Sequence, residues 1–304
     1  STHSVFLPKM HRFVGLLAAT AATSAHGTPW PSLEFLSRGS DVEVHNFVMP
    51  LAEMTKLTYT ATWGSYYKKS DQNASVDGWQ RGLETNPLVG MRALTFLQWN
   101  SSRGVLAFRG TDLNFSQPSG QADECADAFL NLGENHSGQL PAGCNHFTVK
   151  QLDYLSRALE FAERVAEEYP SIHWLYTGHS LGAALGELVA AQRAQTALTF
   201  SAPPLRPLLK RLVRPTLRHW GTVTLYDQYD PLRFEALGQL WGVNCTWFRA
   251  EAPEGCKDCE ASTIDLHRKV CEECFLEAHT FKNYLTNVLS GRRPECSDIS
   301  DILV

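Results

Sequence analysis

A serine flanked by glycines two positions away on each side, Gly178-His-Ser-Leu-Gly182, constrains this chain more than any other feature. The apolar and aromatic run at 172–177 precedes it and predicts a buried strand. Residues 181–194 contain strong helix formers and no proline, and they predict a helix. Where a strand turns directly into a helix, the two backbones approach so closely that glycine is favoured on both sides of the turn. The segment therefore predicts a sharp strand–turn–helix with the hydroxyl of Ser180 projecting from it.

Apolar runs and helical patterns alternate along the rest of the chain, which favours an α/β fold with a mostly parallel central sheet flanked by helices. Residues 62–90 are predicted to be loop, and residues 113–145 a long polar loop containing a short amphipathic helix. We expect a single domain over 26–304 with a cysteine-rich insert at 242–278. Strands are predicted at 93–99, 105–108, 172–177, 197–201 and 221–226, and helices at 47–60, 126–132, 148–169, 181–194 and 281–289.

The N-terminal residues 1–25 have the composition of a leader and signal peptide. Basic residues at 9–12 precede a short apolar run at 13–22, and small residues follow at a plausible cleavage position. A buried N-terminal helix is the alternative. The run is too short to span a membrane, and no longer apolar run follows, so we expect no transmembrane segment and a protein that is secreted or lies in the lumen of the secretory pathway.

Sequons and cysteines are consistent with an oxidising compartment. Five Asn-x-Ser/Thr sequons, candidates for glycosylation, begin at Asn73, Asn100, Asn114, Asn135 and Asn244. The eight cysteines, an even number, are candidates for disulfides: Cys125, Cys144, Cys245, Cys256, Cys259, Cys271, Cys274 and Cys296.

Four of these cysteines form two CxxC pairs, at 256–259 and 271–274, with eleven residues between the pairs. In a reducing compartment this spacing would favour zinc. In a secreted chain it favours disulfides, and we therefore expect no metal site. Cys125 and Cys144 lie on the same long loop, so their pairing would restrain it; the connectivity stays open.

The net charge of the 304-residue chain is −5, which argues against electrostatic binding of nucleic acid. No pattern for a cofactor is present, and none is expected.

Four segments resemble, in the same order, those of the fungal-type triacylglycerol lipases (class 3 lipases), a family with the α/β-hydrolase fold. They are Val105-Leu-Ala-Phe-Arg-Gly-Thr111, Thr177-Gly-His-Ser-Leu-Gly182, Asp230-Pro-Leu232 and the segment at 278–285 with His279 and Tyr284. Ala183 stands where the family usually has a glycine, and Ser201 stands at the glycine of its Phe-Gly-x-Pro segment. The Asp-Trp pair that the family carries after Thr111 is missing.

The resemblance implies that Ser180 is a nucleophile activated by a base. The base would be His279, because the order in this fold is serine, acid, histidine. The orienting acid would be Asp230, with Asp227 as the alternative.

The resemblance also implies an oxyanion hole formed by the N–H of Leu181 and by Thr111, which would supply its N–H and, as a further donor, its hydroxyl. Asp112, Asp123 or Asp127 could hold the Thr111 hydroxyl, and the sequence does not choose between them.

The resemblance therefore implies a secreted serine ester hydrolase that acts on acylglycerols or phospholipids, at a lipid–water interface if the 112–145 loop is a mobile apolar lid. A polar fixed loop would instead favour a carboxylesterase or feruloyl-type esterase acting on short soluble esters. A catalytically silent lipase-like protein that binds lipid is the alternative of a different class.

Overall fold

A computed structural model describes residues 30–33, 35–59, 75–85, 90–112, 118–132, 140–205, 221–236, 242–249, 256, 259 and 269–297. The predicted leader at 1–25 lies outside these ranges. Within them, no helix combines the length and the apolar character needed to cross a membrane.

Among the described residues, eight strands form one sheet in which the spatial order follows the chain order. The pairs from β3 to β7 are parallel, and the two strands at one edge and the last strand at the other are antiparallel. The strands are β1 (Gln80–Glu84), β2 (Ala93–Gln98), β3 (Arg103–Phe108), β4 (His173–Gly178), β5 (Thr196–Phe200), β6 (Thr222–Asp227), β7 (Val243–Trp247) and β8 (Glu295–Cys296).

Helices cover both faces of this sheet. They are α1 (Phe35–Arg38), α2 (Asp41–Thr58), α3 (Pro118–Leu132), α4 (Val149–Leu152), α5 (Tyr154–Glu168), α6 (Leu181–Arg193), α7 (Pro231–Ala236), α8 (Lys269–His279) and α9 (Phe281–Leu289). Single 3-10 turns lie at Trp99–Ser101 and Ala142–Cys144.

The strand residues alternate between two apolar clusters, as the period of a β-strand requires. On one face, Val105 and Ala107 pack with residues of α2 and α9. On the other face, Leu106 and Phe108 pack with residues of α5 and α6. The sheet is therefore buried on both sides, which is the usual environment of parallel strands.

Capping residues set the start of several helices. Ser40 precedes α2 and forms a reciprocal capping box with Glu43, and Thr148 forms another with Gln151 at the start of α4. The helix predicted over 148–169 divides at Asp153, whose carboxylate accepts from the N–H of Ser156 and begins α5. The capping signal was thus predicted correctly, but it starts a single turn and not the long helix.

The prediction of an α/β fold with a mostly parallel sheet is confirmed, with differences at the periphery. The prediction of loop throughout 62–90 is wrong at Gln80–Glu84, which is the edge strand β1. The segment 242–278, predicted to be a cysteine-rich insert, contributes β7 to the central sheet and contains most of α8. The helix predicted at 126–132 begins earlier, at Pro118.

All eight cysteines pair, so the prediction of disulfides is confirmed. Cys125–Cys144 ties α3 to the turn after it, and Cys245–Cys296 links β7 to β8. The CxxC pairs form two nested bridges, Cys256–Cys274 and Cys259–Cys271.

Candidate active site

Ser180 lies at the turn between β4 and α6, with φ of 55° and ψ of −126°. A side chain on either flanking glycine would collide with backbone: a Cβ on Gly178 would lie 2.3 Å from the Gly182 oxygen. A Cβ on Gly182 would lie 2.3 Å from the oxygen of Phe108, the last residue of β3. The glycines thus allow α6 to start against the ends of two strands, and the strained turn presents the Ser180 hydroxyl.

His279, the last residue of α8, contacts Ser180 directly. Its Nε2 lies 3.0 Å from the Ser180 Oγ, within hydrogen-bond distance. The side chain of His279 is 20% exposed, so part of it remains accessible to solvent. This geometry allows the imidazole to accept the proton of the serine hydroxyl.

Asp230 lies on the opposite side of the imidazole, in the turn between β6 and α7, and is fully buried. Its carboxylate oxygens are 3.2 and 3.3 Å from His279 Nδ1. Oδ1 accepts the N–H of Leu232, and Oδ2 accepts the hydroxyls of Ser201 and Tyr284. Burial raises the pKa of this carboxyl, but His279 and the two hydroxyls outweigh it, and the net pKa of Asp230 lies below its usual value.

Asp227, the alternative acid, is also fully buried but has different partners. Oδ2 of its carboxylate accepts from Nε of Arg249 at 2.9 Å and from Nδ2 of Asn287 at 2.6 Å. Oδ1 accepts the N–H of Tyr229. Of the two candidates, the structure brings Asp230 to the histidine and places Asp227 in a neighbouring ion pair.

A second histidine links three parts of the site. His179 Nδ1 lies 2.8 Å from the hydroxyl of Tyr59, whose oxygen accepts the N–H of Gly110. His179 Nε2 lies 2.8 Å from the backbone oxygen of His279. Burial, and then the charge of His279, lower the pKa of His179 to about 3. His179 therefore stays neutral and holds the His279 backbone and, through Tyr59, the loop after β3.

Thr111 follows β3, which pairs in parallel with β4 so that Phe108 is level with Gly178. Its hydroxyl donates to Asp127 Oδ2 at 2.5 Å, so of the three predicted partners the structure selects Asp127. Burial raises the pKa of Asp127 to about 7, against the opposing effect of this hydrogen bond. Leu181 is the first residue of α6, and its N–H has no acceptor within the helix. Leu181 directly follows Ser180, and Gly110, the neighbour of Thr111, lies against the backbone of His179: a Cβ on Gly110 would be 2.3 Å from the His179 oxygen.

Helix α3 is fastened to the end of β3. Arg109 and Asp123 form a buried ion pair at 2.6 Å. Asp123 also accepts the N–H of Asp112 and the hydroxyl of Tyr154. With the Cys125–Cys144 disulfide, these contacts fix the described part of the 112–145 segment.

Sequence reasoning assigned no role to Ser201, Tyr284 or Tyr59, which are part of this arrangement. Ser201 was visible as a departure from the family glycine, and Tyr284 as a residue that the family shares. Their contacts with Asp230 join residues 29 and 54 positions apart, so no local pattern could reveal them.

The remaining predictions concern the glycosylation sequons and the presence of a metal site. Asn100 is exposed in the turn after β2 and stays a predicted glycosylation site. Asn244 lies in β7 with its Nδ2 buried, a position that does not fit a glycan on the folded protein. Asn73, Asn114 and Asn135 lie outside the described residues. Within the described ranges no cluster of three His, Cys, Asp or Glu side chains could hold a metal ion.

No protein-family model matches the chain. A curated relative, "Putative lipase ATG15" from Eremothecium gossypii, is 30% identical over 183 residues, which are 51% of this chain and 33% of the relative. The chain therefore spans about a third of that relative's length.

Solved structures overlap more of the chain at lower identity. The Lip2 lipase from Yarrowia lipolytica has a TM-score of 0.45 at 15% identity and covers 79% of this chain and 93% of its own. A lipase from Rhizopus microsporus var. chinensis has a TM-score of 0.40 at 12% identity and covers 67% and 74%. The strand order and the sharp turn at Ser180 define the fold. The fold is that of an α/β-hydrolase, and the predicted resemblance to the fungal-type lipases is confirmed by a relative in sequence.

Proposed function

We propose that the protein is a serine carboxylic-ester hydrolase of the lipase kind, which cleaves acylglycerols through an acyl-enzyme on Ser180. The observation that carries the proposal is the continuous contact from Ser180 Oγ to His279 Nε2 at 3.0 Å and from His279 Nδ1 to Asp230 at 3.2 Å. The chain order serine, aspartate, histidine is that of the α/β-hydrolases. Similarity to a relative named as a lipase supports the same reaction class.

The acylation step follows from these contacts. His279 takes the Ser180 proton as Oγ attacks the ester carbonyl carbon, and the C–O bond to the alcohol then breaks as His279 returns the proton to the leaving oxygen. Asp230 keeps the proton of the neutral imidazole on Nδ1, so Nε2 is free to act as the base. Activity is therefore lost in acid, when the imidazole is already protonated.

The negative charge of each tetrahedral intermediate falls on the former carbonyl oxygen. The N–H groups of Leu181 and Thr111 would stabilise that charge, and loss of one such donor typically costs about 2.7–4 kcal/mol. Water, deprotonated by His279, then attacks the acyl carbon, and the acid leaves as Ser180 recovers its proton.

Secretion is part of the proposal and is supported by the covalent chemistry of the chain. Four disulfides with no free cysteine require an oxidising compartment to form and persist. The leader composition at 1–25 agrees with this.

A carboxylesterase that acts on short soluble esters is the second candidate, and one observation favours it. Helix α3 is held by the Arg109–Asp123 ion pair, by the Thr111–Asp127 hydrogen bond and by a disulfide. A segment fixed at three points is less suited to open at a lipid surface than a free lid. The two candidates share one mechanism and differ in the length of the acyl chain.

The experiment is a panel of p-nitrophenyl esters of rising chain length, assayed with and without micelles. A lipase should prefer long chains and gain activity with micelles, and the esterase should show neither property. Labelling by a fluorophosphonate probe tests the serine directly, and Ser180→Ala should abolish both labelling and hydrolysis. Wild-type protein without labelling would instead support the silent lipid-binding alternative.

A further inference from the structure

Ser201 occupies a position where the backbone favours glycine. It follows β5 directly, is fully buried, and has φ of 54°. Its N–H donates to the Leu225 oxygen at 2.9 Å, which continues the pairing of β5 with β6. Glycine adopts this conformation without strain, whereas a side chain does not. A serine at this place is therefore expected to contribute through its hydroxyl.

That hydroxyl lies between the base and the acid. Its Oγ is 2.5 Å from Asp230 Oδ2 and 2.8 Å from His279 Nδ1. It is thus nearer to Nδ1 than either carboxylate oxygen, which lie at 3.2 and 3.3 Å. The imidazole edge that faces the acid therefore also faces a hydroxyl.

The direction of each hydrogen bond follows from donor and acceptor chemistry. An ionised carboxylate only accepts, so Ser201 must donate its single proton to Asp230. The Ser201 oxygen is then left to accept, and the N–H at Nδ1 of His279 is the donor that faces it. The result is a bridge that runs from His279 through the Ser201 hydroxyl to Asp230.

Tyr284 provides an internal comparison. Its hydroxyl also donates to Asp230 Oδ2, and its oxygen accepts the N–H of Asp227. Tyr284 therefore stabilises the same carboxylate charge without a described hydrogen bond to His279 Nδ1. The Ser201 hydroxyl, by contrast, lies within hydrogen-bond distance of both the acid and the base.

We propose that Ser201 is a positioning residue, which accepts the Nδ1–H of His279 and donates to Asp230, so that the acid acts on the base partly through a bridging hydroxyl. This inference rests on the proposed function in that His279 is the base. In the resting enzyme the bridge holds the imidazole with Nε2 toward Ser180 Oγ. When the imidazolium forms, the same oxygen stabilises the charged N–H. No covalent bond to Ser201 is involved.

The test compares three single variants by steady-state kinetics. Ser201→Gly removes the hydroxyl and suits the backbone, Ser201→Ala removes the hydroxyl alone, and Tyr284→Phe removes the other donor to Asp230. We expect both Ser201 variants to lose about 10- to 100-fold in kcat with KM little changed, because a hydrogen bond to a charged group is lost. Tyr284→Phe should lose less. If Ser201→Gly kept wild-type kcat, the hydroxyl would have no such role.

A double-mutant cycle separates positioning from folding. If Asp230 acts through Ser201, Asp230→Asn should cost less in the Ser201→Gly background than in the wild type. Full additivity of the two effects would overturn the bridge.

A second measurement does not depend on catalysis. In protein with 15N-labelled histidine, the low-field Nδ1–H proton of His279 should shift in Ser201→Gly more than in Tyr284→Phe. Equal shifts would contradict the proposal. Because this signal is read from resting enzyme, a wild type inactive on every ester would refute the proposed function while the proton signal still decides the role of Ser201.

Discussion

The two sides of Ser180 hold their functional groups with carboxyls of different character, one fully buried (Asp230) and one half-buried (Asp127). On the histidine side, Asp230 has His279 and two hydroxyls as partners, and its pKa lies below the usual value. On the side of the proposed oxyanion hole, Asp127 accepts a hydrogen bond from Thr111, and burial raises its pKa to about 7. The difference shows that burial alone does not set the charge of a carboxyl: its partners decide whether it ionises.

The two carboxyls therefore suit different functions. A carboxylate that stays charged across neutral pH can orient a base that must change charge during the reaction. A carboxyl that titrates near neutrality can position a neutral hydroxyl, but its own charge changes with pH in that range. Variants on the two sides should therefore differ in size and in pH dependence.

The largest expected effect is that of Asp230→Asn. The amide would present a donor to His279 Nδ1 and favour the wrong tautomer, so we expect kcat to fall by about 10⁴-fold, as for a triad aspartate. Asp127→Asn should change kcat far less. A substrate saturation series for each variant measures the two values of kcat.

Asp227→Asn is the control for burial, because Asp227 is equally buried beside Asp230 but pairs with Arg249. It should lower stability and leave most of kcat. A loss of kcat at Asp227 greater than at Asp230 would transfer the role of the acid to Asp227.

The sequence predicted the fold where strands carry strong apolar patterns. The edge strand Gln80–Glu84 was missed because it is partly exposed along its length and has no apolar alternation to detect. Helix α8 was missed because its sequence is rich in glutamate, and its buried side includes Cys271 and Cys274. These cysteines are buried because they form disulfides, and a search for apolar periodicity does not detect that.

The sequence predicted the residues of the site better than the contacts among them. The roles of Ser180, Asp230 and His279 were predicted from motifs that resemble those of the family and follow one another in the same order. The choice of Asp127 over Asp112 and Asp123 depends on how α3 is placed against β3, a tertiary property. The bridge at Ser201 likewise could not be predicted, because it depends on how close the end of β5 lies to the turn after β6.

The next largest effect compares two disulfides that close similar loops. Cys125–Cys144 spans 19 positions, and its removal should cost about 3 kcal/mol by loop entropy. Cys256–Cys274 spans 18, but the enclosed Cys259–Cys271 bridge already shortens that loop, so its removal should cost less stability. Activity should differ. Cys274 lies on the helix that ends in His279, and a displacement of about 1 Å there can cost about 100-fold.

The measurement uses the double variants Cys256→Ala/Cys274→Ala and Cys125→Ala/Cys144→Ala below their unfolding temperatures. Helix α3 keeps the Arg109–Asp123 ion pair, so the second variant should retain more kcat. Equal losses of kcat in the two would show that the two sides of the site are equally sensitive.

A smaller effect is expected for Thr111→Val, which removes the hydroxyl and keeps both the shape and the N–H. Loss of the hydrogen bond to Asp127 should loosen the donor and lower kcat by about tenfold, with KM little changed. A loss of 10³-fold or more would mean that the hydroxyl itself serves the oxyanion. An unchanged kcat would show that the N–H is held without it.

The smallest effect is on stability and concerns Asp127→Asn. The folded-state pKa of about 7 exceeds the ordinary value of 3.8, so the folded protein keeps this proton when the unfolded chain has lost it. Stability from this group is therefore present below about pH 4 and is lost as the pH rises toward 7. Asparagine cannot ionise, so the variant should gain stability relative to wild type between pH 5 and pH 8, on the order of 1 kcal/mol.

Urea unfolding at pH 5 and at pH 8 measures this difference. Glu124→Gln, exposed on the same helix, is the control that makes the same change of charge. A relative stability of Asp127→Asn that is the same at pH 5 and pH 8 would mean that Asp127 is ionised throughout, as Asp230 is, and the contrast between the two sides would then lie in their partners alone.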